Sequence, residues 1–149
     1  MRIAVFGTGT VGRALAGALA ERGHEVTVGT RDPGETASRT GPDRMGRPPF
    51  SEWQAGHPEV GLADYAGAAG SAELVVNATS GAGSLPALGA AGAARLAGKV
   101  LVDVSNPLDF SQGMPPVLNP VNTDSLAERI QQAFPGARVV KTLNTMNAA

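Results

Sequence analysis

The stretch Ile3-Ala4-Val5-Phe6-Gly7-Thr8-Gly9-Thr10-Val11-Gly12 joins an apolar run to a helix-like segment through three glycines. Gly7 would permit a tight turn out of a strand, Gly9 would let the backbone approach a phosphate, and Gly12 would let the helix pack closely. The amides at the start of such a helix point towards bound negative charge. Because a strand, the glycines and a helix follow in this order, the stretch predicts a site for the pyrophosphate of a dinucleotide.

The rest of the chain alternates predicted strands with predicted helices. Strands are predicted at Arg2–Phe6, Glu25–Val28, Val60–Ala63, Glu73–Asn77, Lys99–Val104 and Arg138–Leu143. Helices are predicted at Val11–Arg22, near Asp32-Pro33, and at Phe50–Ala55, Leu85–Leu96 and Ser125–Phe134. Trp53 is expected to pack on the core, and Thr123 or Asp124 is expected to cap the last helix. The segment Ala66–Ala72 is predicted to be either a helix or a turn. An irregular loop is predicted from Leu108 to Val121. The alternation predicts one α/β domain over residues 1–149, with a doubly wound (Rossmann) parallel sheet of about six strands.

Composition and charge exclude several classes of function. The 149-residue chain has a net charge of −1, which gives no general attraction to nucleic acid or to an anionic membrane. It has no cysteine and only two histidines, which excludes thiolate chemistry and a histidine-rich metal site. No apolar run reaches the roughly 18 residues needed to cross a bilayer, and the first residues lead directly into a predicted strand, without a charged and then apolar pattern that would predict secretion. A cytoplasmic protein with a small-molecule partner is therefore expected.

Small and polar residues follow the predicted strands. In an open parallel sheet, ligands bind outside the carboxyl ends of the strands, where the strand order reverses. The candidate cofactor-binding residues at these ends are Gly7, Thr8, Gly9, Thr10, Val11, Gly12, Thr30, Arg31, Thr79, Ser80, Ser105, Asn106 and Asn144. They can hydrogen-bond a ribose, a pyrophosphate and a carboxamide, but they offer little for acid–base catalysis, and no catalytic residue is predicted. For the stretch Thr79–Ser84, an ordinary flexible helix entry is an equally good interpretation.

Thr30 and Arg31 follow the second predicted strand, where an NAD-specific site usually has Asp or Glu. A hydroxyl and a guanidinium suit a 2′-phosphate instead. A charge-assisted hydrogen bond contributes about 1.5–3 kcal/mol, which corresponds to a roughly ten- to hundredfold preference for NADP(H). The alternative is that Arg31 pairs with Asp32 on the surface. NADP(H) is the predicted cofactor.

Three residues of types that often act in catalysis have other predicted roles. Asp103, inside the fifth strand, is predicted to be a structural hydrogen-bonding residue. His24 lies at the amino end of the second strand, away from the site, and His57 is predicted to be solvated. No Gly-x-Ser-x-Gly or Tyr-x-x-x-Lys motif is present. Hydride transfer between two bound cofactors needs neither motif, because it depends on orientation and close approach.

These motifs resemble those of the NADP oxidoreductases that use coenzyme F-420, an 8-hydroxy-5-deazaflavin also written F420. The matching stretches are Ile3–Gly12, Val28–Arg31, Val75–Thr79, Asp103–Pro107 and Val140–Thr145, and the likeness covers essentially the whole chain. The cytosolic domain of the six-transmembrane metalloreductases is similar as well. The motifs therefore specify the domain better than they specify the electron acceptor.

The resemblance implies that the Thr8–Val11 backbone holds the pyrophosphate and that Thr30 and Arg31 hold the 2′-phosphate. It also implies that the ends of strands four to six line the cleft for the nicotinamide and the deazaflavin. Two features depart from the family. Some members have a second basic residue where this chain has Glu35. Members usually continue for several dozen residues beyond the position of Ala149, with helices that complete the acceptor pocket and a dimer interface, so this C-terminal helical part is expected to be missing from the 149 residues.

The residues and the resemblance together predict an oxidoreductase that transfers a hydride between NADP(H) and a deazaflavin (coenzyme F-420) or flavin-type acceptor, with a homodimer as one option. The first alternative is a non-catalytic or truncated NADP-binding module that senses cofactor state or serves a partner subunit. A reductase for a small imine or keto substrate is a second alternative, because it uses the same nucleotide-binding half. Such a reductase normally needs a helical substrate domain after the sheet.

Overall fold

A computed structural model describes residues 1–43 and 46–146; residues 44, 45 and 147–149 of the predicted domain lie outside the described residues. The strands within these ranges are β1 (Arg2–Phe6), β2 (Glu25–Thr30), β3 (Gly61–Asp64), β4 (Leu74–Asn77), β5 (Val100–Asp103), β6 (Leu108–Asp109), β7 (Val117–Leu118) and β8 (Arg138–Lys141). Six of these strands form a parallel sheet in the order β3-β2-β1-β4-β5-β8. The order reverses between β1 and β4, which confirms the predicted doubly wound α/β fold.

The helices of the described ranges cover both faces of this sheet. They are α1 (Thr10–Glu21), α2 (Pro33–Ser38), α3 (Phe50–Ala55), α4 (Tyr65–Ser71), α5 (Gly81–Ala91), α6 (Ala93–Leu96) and α7 (Leu126–Ala133). The segment predicted as a helix or a turn is therefore the helix α4. Asp32 begins α2 as its cap, because its carboxylate accepts a hydrogen bond of 2.9 Å from the backbone N–H of Glu35.

The helix predicted at Leu85–Leu96 differs from the observed structure. It begins four residues earlier, at Gly81, and Gly92 with φ of +90° divides it into α5 and α6. The two glycines near its start hide the helix in the sequence, because glycine is a poor helix former. Ser80 offsets this weakness as the cap, with its hydroxyl oxygen accepting from the N–H of Gly83 at 3.3 Å.

Two further predictions in the C-terminal half were wrong. The cap of α7 is Ser125, whose hydroxyl accepts from the N–H of Glu128 at 3.2 Å, and neither Thr123 nor Asp124 takes this role. Asp124 forms an ion pair of 2.6 Å with Arg129 instead. The predicted loop from Leu108 to Val121 is not wholly irregular, because β6 and β7 pair in it as an antiparallel ribbon.

Each face of the sheet carries its own hydrophobic cluster, because successive side chains of a strand point to opposite faces. In β1, Ala4 and Phe6 belong to the cluster formed with α4, α5, α6 and α7. Ile3 and Val5 belong to the cluster formed with α1 and α3. Both faces of β1 are therefore covered, as expected for a central parallel strand. Because helices cover both faces, the carboxyl edge of the sheet is the expected place for a ligand site.

The aromatic residues of α3 anchor the segment between β2 and β3. Trp53 packs against the second of these clusters, as predicted. His57 was predicted to be solvated, but it is half-buried, because its ring stacks on that of Trp53 with 4.2 Å between the ring centroids. Its Nδ1 also lies 2.9 Å from the Trp53 carbonyl oxygen. His24 directly precedes β2, at the amino end of the sheet, as predicted.

Within the described ranges, none of the helices combines the length and the apolar character that crossing a lipid bilayer requires.

Candidate functional site

A cleft of about 700 Å³ runs along the carboxyl edge of the sheet, across the switch point between β1 and β4. Most of the predicted site residues line it. They are Gly7, Thr8, Gly9, Thr10, Val11, Thr30, Arg31, Thr79, Ser80, Ser105 and Asn106. The sheet therefore brings together residues that are up to a hundred positions apart in the sequence, at the edge where ligands of doubly wound folds bind.

Two predicted site residues lie outside this cleft. Gly12 is buried in α1, below the cleft lining. Asn144 lines a smaller neighbouring cavity of about 190 Å³, which Asn106 and Val11 line as well. The side-chain Nδ2 of Asn106 donates a hydrogen bond of 2.7 Å to the carbonyl oxygen of Asn144. Asn144 therefore supports a residue of the cleft without lining the cleft itself.

The glycine loop, defined here as residues Gly7–Gly12, turns sharply from β1 into α1. Gly7 has φ of +112°, a left-handed conformation that favours glycine. A Cβ at Gly12 would lie 2.0 Å from the carbonyl oxygen of Gly7, so only glycine allows this packing. A Cβ at Gly9 would meet no atom within 4 Å, because this position faces the open cleft. The tight turn and the close packing are observed, and the approach of a phosphate at Gly9 stays a prediction.

The end of β2 presents a hydroxyl and a guanidinium to the cleft. Thr30 is buried, and its Oγ1 lies 3.0 Å from Oγ1 of Thr36 in α2. Arg31 is exposed and forms no ion pair within the described residues. The alternative pairing with Asp32 is not formed, and the Asp32 carboxylate caps α2 instead. The Arg31 guanidinium is thus in a position to meet an anionic ligand.

Two further arginines line the same end of the cleft, and sequence reasoning missed both. Arg39 forms an ion pair of 2.6 Å with Glu35, the residue that departs from the family pattern. Arg47 forms an ion pair of 2.7 Å with Asp43. The spacing of four residues is a sequence signal for Arg39, which pairs along α2. Arg47 lies in a proline-marked segment without periodicity, so no pattern places it near the cleft.

A network of buried polar side chains ties the ends of β4 and β5 together. The Nδ2 of Asn77 donates to Oγ of Ser84 at 2.9 Å and to Oδ1 of Asp103 at 2.8 Å. The Oδ1 of Asn77 accepts from the hydroxyl of Thr79 at 2.7 Å. Asp103 also accepts from the hydroxyl of Ser105 at 2.7 Å. Asp103 is fully buried and has the predicted structural role.

Lys141 at the end of β8 completes this network. Its Nζ lies 2.9 Å from Oδ2 of Asp103 and also donates to the carbonyl oxygen of Ser105. A buried carboxylate is stable when a cation and hydrogen-bond donors surround it. Sequence reasoning did not assign Lys141 this role. The network fixes the orientations of Thr79 and Ser105, both of which line the cleft.

The two ends of the cleft differ in chemistry. At the β5 end, Val104, Leu108 and Phe110 provide an apolar wall, in which the residues Leu108 and Phe110 are 44% and 55% exposed. At the β2 end, the ring of Tyr65 packs on Phe6 with 4.9 Å between the centroids. Burial raises the pKa of the Tyr65 hydroxyl above its usual value, and the nearby charge of Arg31 opposes this shift in part.

The titratable side chains of the cleft lie at one end of it. Within the described residues they are Arg31, Asp32, Glu35, Arg39, Arg47 and Tyr65, which all come from the chain that runs from the end of β2 to the first residue of α4. The opposite end presents hydroxyls, an amide and apolar groups. This arrangement suits an elongated ligand with phosphates at one end and an uncharged ring at the other.

Comparisons with known proteins agree with this geometry. Residues 2–107 match the sequence profile of the family described as NADP oxidoreductase, coenzyme F420-dependent. A candidate F420-dependent NADP reductase from Arthrobacter sp. FB24 is 67% identical in sequence, with a TM-score of 0.92. The match covers 99% of this chain and 64% of that protein.

More distant relatives share the same unit within longer chains. The metalloreductase STEAP3 of Rattus norvegicus is 31% identical over 147 residues, which are 99% of this chain and 25% of the relative. An imine reductase from Streptomyces aurantiacus is 22% identical, with a TM-score of 0.59, over 93% of this chain and 39% of that one. That last likeness shows the fold alone. By the match of residues 2–107, the chain belongs to the family of coenzyme F420-dependent NADP oxidoreductases.

Proposed function

We propose that the cleft binds NADP(H), with the phosphates at the β2 end and the nicotinamide near Ser105 and Asn106. The fit rests on three features of the chain. The backbone at Gly9 faces open space, the N-terminus of α1 faces the cleft, and Arg31 is not engaged by an acidic side chain of the described residues. Thr30 and Arg31 would hold the 2′-phosphate, because a hydroxyl and a guanidinium both donate to phosphate oxygens.

We further propose that the reaction is the transfer of a hydride between NADP(H) and a deazaflavin, coenzyme F-420, or a flavin-type acceptor. Bound NADPH supplies the hydride, and one proton from solvent balances the reduction of the acceptor ring. The chain's own contribution would be to orient the nicotinamide and the acceptor ring for close approach. The apolar wall of Val104, Leu108 and Phe110 would receive a planar ring beside the nicotinamide position.

The observation that carries this proposal is the division of the cleft lining between an end with three arginines and an end that, among the described residues, presents no titratable side chain. Proton-transfer chemistry would require a titratable group near the reacting atoms. Hydride transfer between two rings requires alignment instead, because the chemistry resides in the cofactors. The Asn77–Asp103 network supplies rigid alignment at the uncharged end.

The cofactor part is tested with Arg31→Ala. We expect the Kd of NADPH to rise at least about tenfold, since a charge-assisted contact contributes about 1.5–3 kcal/mol. The Kd of NADH should hardly change, because NADH has no 2′-phosphate. Arg129→Ala is the matched control, because Arg129 is also an exposed arginine but does not line the cleft. Equal losses for NADPH and NADH would mean that Arg31 does not bind the 2′-phosphate.

The reaction is tested by anaerobic absorbance spectroscopy of this chain with NADPH and oxidised coenzyme F-420. Loss of the deazaflavin band, in proportion to the NADPH consumed, is the expected result. Since the chain spans 64% of the candidate reductase, NADPH binding is measured in parallel by calorimetry. Tight binding without reduction of any acceptor would assign the chain to the alternative, a non-catalytic NADP-binding module. A homodimer stays a prediction that light scattering can test.

A further inference from the structure

Arg47 reaches the cleft from a segment that the glycine loop does not include. Its Nη1 donates a hydrogen bond of 2.7 Å to the hydroxyl of Thr10, the first residue of α1. Its Nε and Nη2 both contact Oδ2 of Asp43 at 2.7 Å. The guanidinium is therefore held in one orientation, between an acidic side chain and the start of the helix.

Arg13 fastens the segment that carries Arg47 to the glycine loop. The Nε of Arg13 donates to the carbonyl oxygen of Thr8 at 2.8 Å, and Nη1 donates to that of Pro48 at 2.8 Å. Its guanidinium also lies over the ring of Phe50, 5.8 Å from the centroid. Since Pro48 follows Arg47 directly, this clamp holds Arg47 beside the cleft.

The electrostatics of the two arginines favour an anion between them and the loop. Burial lowers the pKa of Arg13, and the positive charge of Arg47 lowers it further, while Asp43 and Glu52 oppose these effects in part. Two guanidiniums thus lie close enough to repel each other. A bound phosphate group would relieve this repulsion, because it adds negative charge where positive charge is concentrated.

We propose that Arg47 is a phosphate-binding residue that contacts the pyrophosphate of the dinucleotide. The inference rests on the proposed function, since it assumes that a dinucleotide occupies the cleft. Within the described residues, the contacts of Arg47 use three of the five N–H groups of a guanidinium, which leaves two for a ligand. The residues of the glycine loop provide only uncharged donors to the cleft, so Arg47 would add a cation to this part of its lining.

The position of Arg47 favours the pyrophosphate over the 2′-phosphate. Arg47 contacts Thr10 at the N-terminus of α1, where the helix amides meet the pyrophosphate in folds of this type. The 2′-phosphate would lie at the end of β2, near Thr30 and Arg31. Because the pyrophosphate is common to both nucleotides, Arg47 should affect NADPH and NADH alike, whereas Arg31 should affect NADPH alone.

The test compares Kd values of NADPH and NADH for the unmodified chain and for Arg47→Gln, Arg31→Ala and the control Arg129→Ala. We expect Arg47→Gln to weaken both nucleotides by a similar factor of about ten, because one charge-assisted contact is lost. Arg47→Gln leaves the hydrogen bond from Arg13 to the carbonyl oxygen of Pro48 in place, so the segment should keep its position, and circular dichroism checks the fold. Arg47→Lys should recover part of the affinity, because it restores the charge without the fork of donors.

Two results would overturn the inference while leaving the proposed function in place. One is unchanged binding of both nucleotides by Arg47→Gln, and the other is a loss confined to NADPH, which would assign Arg47 to the 2′-phosphate. If the unmodified chain binds neither nucleotide, the proposed function fails and the inference fails with it. Measuring the unmodified chain first therefore separates the two failures.

Discussion

Gly12 and Gly9 of the glycine loop are expected to serve different purposes, since Gly12 is needed for folding and Gly9 for binding of the nucleotide. Gly12→Ala would place a Cβ 2.0 Å from the carbonyl oxygen of Gly7. Since this neighbour is backbone, the start of α1 has to move away from the loop. Overpacking costs about 1–3 kcal/mol, and alanine recovers about 1 kcal/mol over glycine in a helix. Taking the upper end leaves a loss of about 2 kcal/mol, which lowers Tm by about 4–8 °C in a chain of this size.

Gly9→Ala should leave the folding stability nearly unchanged and should weaken the binding of NADPH. Its Cβ would meet no atom within 4 Å, and its φ of −78° and ψ of −176° suit alanine. Alanine is a poorer N-cap than glycine, but it restricts the unfolded chain by about 0.4–1 kcal/mol, so the two effects offset each other. If phosphates lie against Gly9, the methyl group occupies their space. The Kd of NADPH should then rise at least about tenfold, or about 1.4 kcal/mol.

The assay pairs thermal unfolding by circular dichroism with NADPH binding by calorimetry. Gly89→Ala is the matched control, because its Cβ would also meet no atom within 4 Å and Gly89 does not line the cleft. It should leave binding unchanged. Wild-type affinity in Gly9→Ala would refute the approach of the phosphates at this position. An unchanged Tm in Gly12→Ala would refute the argument that close packing requires glycine there.

Two further predictions concern stability. Ser125→Ala removes the cap of α7, and the loss of about 1 kcal/mol of folding stability should lower Tm by about 2–4 °C. Thr123→Ala is the control and should leave Tm unchanged. Equal Tm values for the two variants would contradict capping by Ser125. Because burial raises the folded-state pKa of Tyr65, the stability that its hydroxyl contributes is fully present below about pH 10 and is lost as pH rises through the folded pKa. Urea unfolding at about pH 8 and about pH 11 should therefore show a larger loss for the wild type than for Tyr65→Phe, and identical losses would contradict this assignment.

The fold was predictable where the signal is local. Apolar runs such as Leu74-Val75-Val76 report burial on both faces of a strand, so the parallel sheet followed from the sequence. The cap of α7 was not predictable in this way, because Thr123, Asp124 and Ser125 can all cap a helix. The choice depends on how Leu126 and Ile130 dock in the core, which is a tertiary constraint.

The site was predictable for residues that directly follow a strand, and less so for residues brought in by tertiary contacts. Arg31 belongs to the first kind. Arg47 belongs to the second, because its partner Thr10 lies 37 positions away and no regular element carries it. Lys141 lies between these cases. It is the register partner of Asp103 in the neighbouring strand, so aligning the two predicted strands would have found the pair.

The distribution of charge in the cleft bears on the direction of the proposed reaction. Arg31, Arg39 and Arg47 would face phosphates, whose charge does not change when a hydride leaves the nicotinamide. The three arginines would therefore bind NADP⁺ and NADPH equally well. Such uniform binding positions the nucleotide without favouring either of its oxidation states. At the other end, Lys141 neutralises Asp103, so the buried network adds no net charge beside a ring that becomes positive on oxidation. The chain would then leave the direction of transfer to the potential of the acceptor, which suits an enzyme that exchanges hydride reversibly.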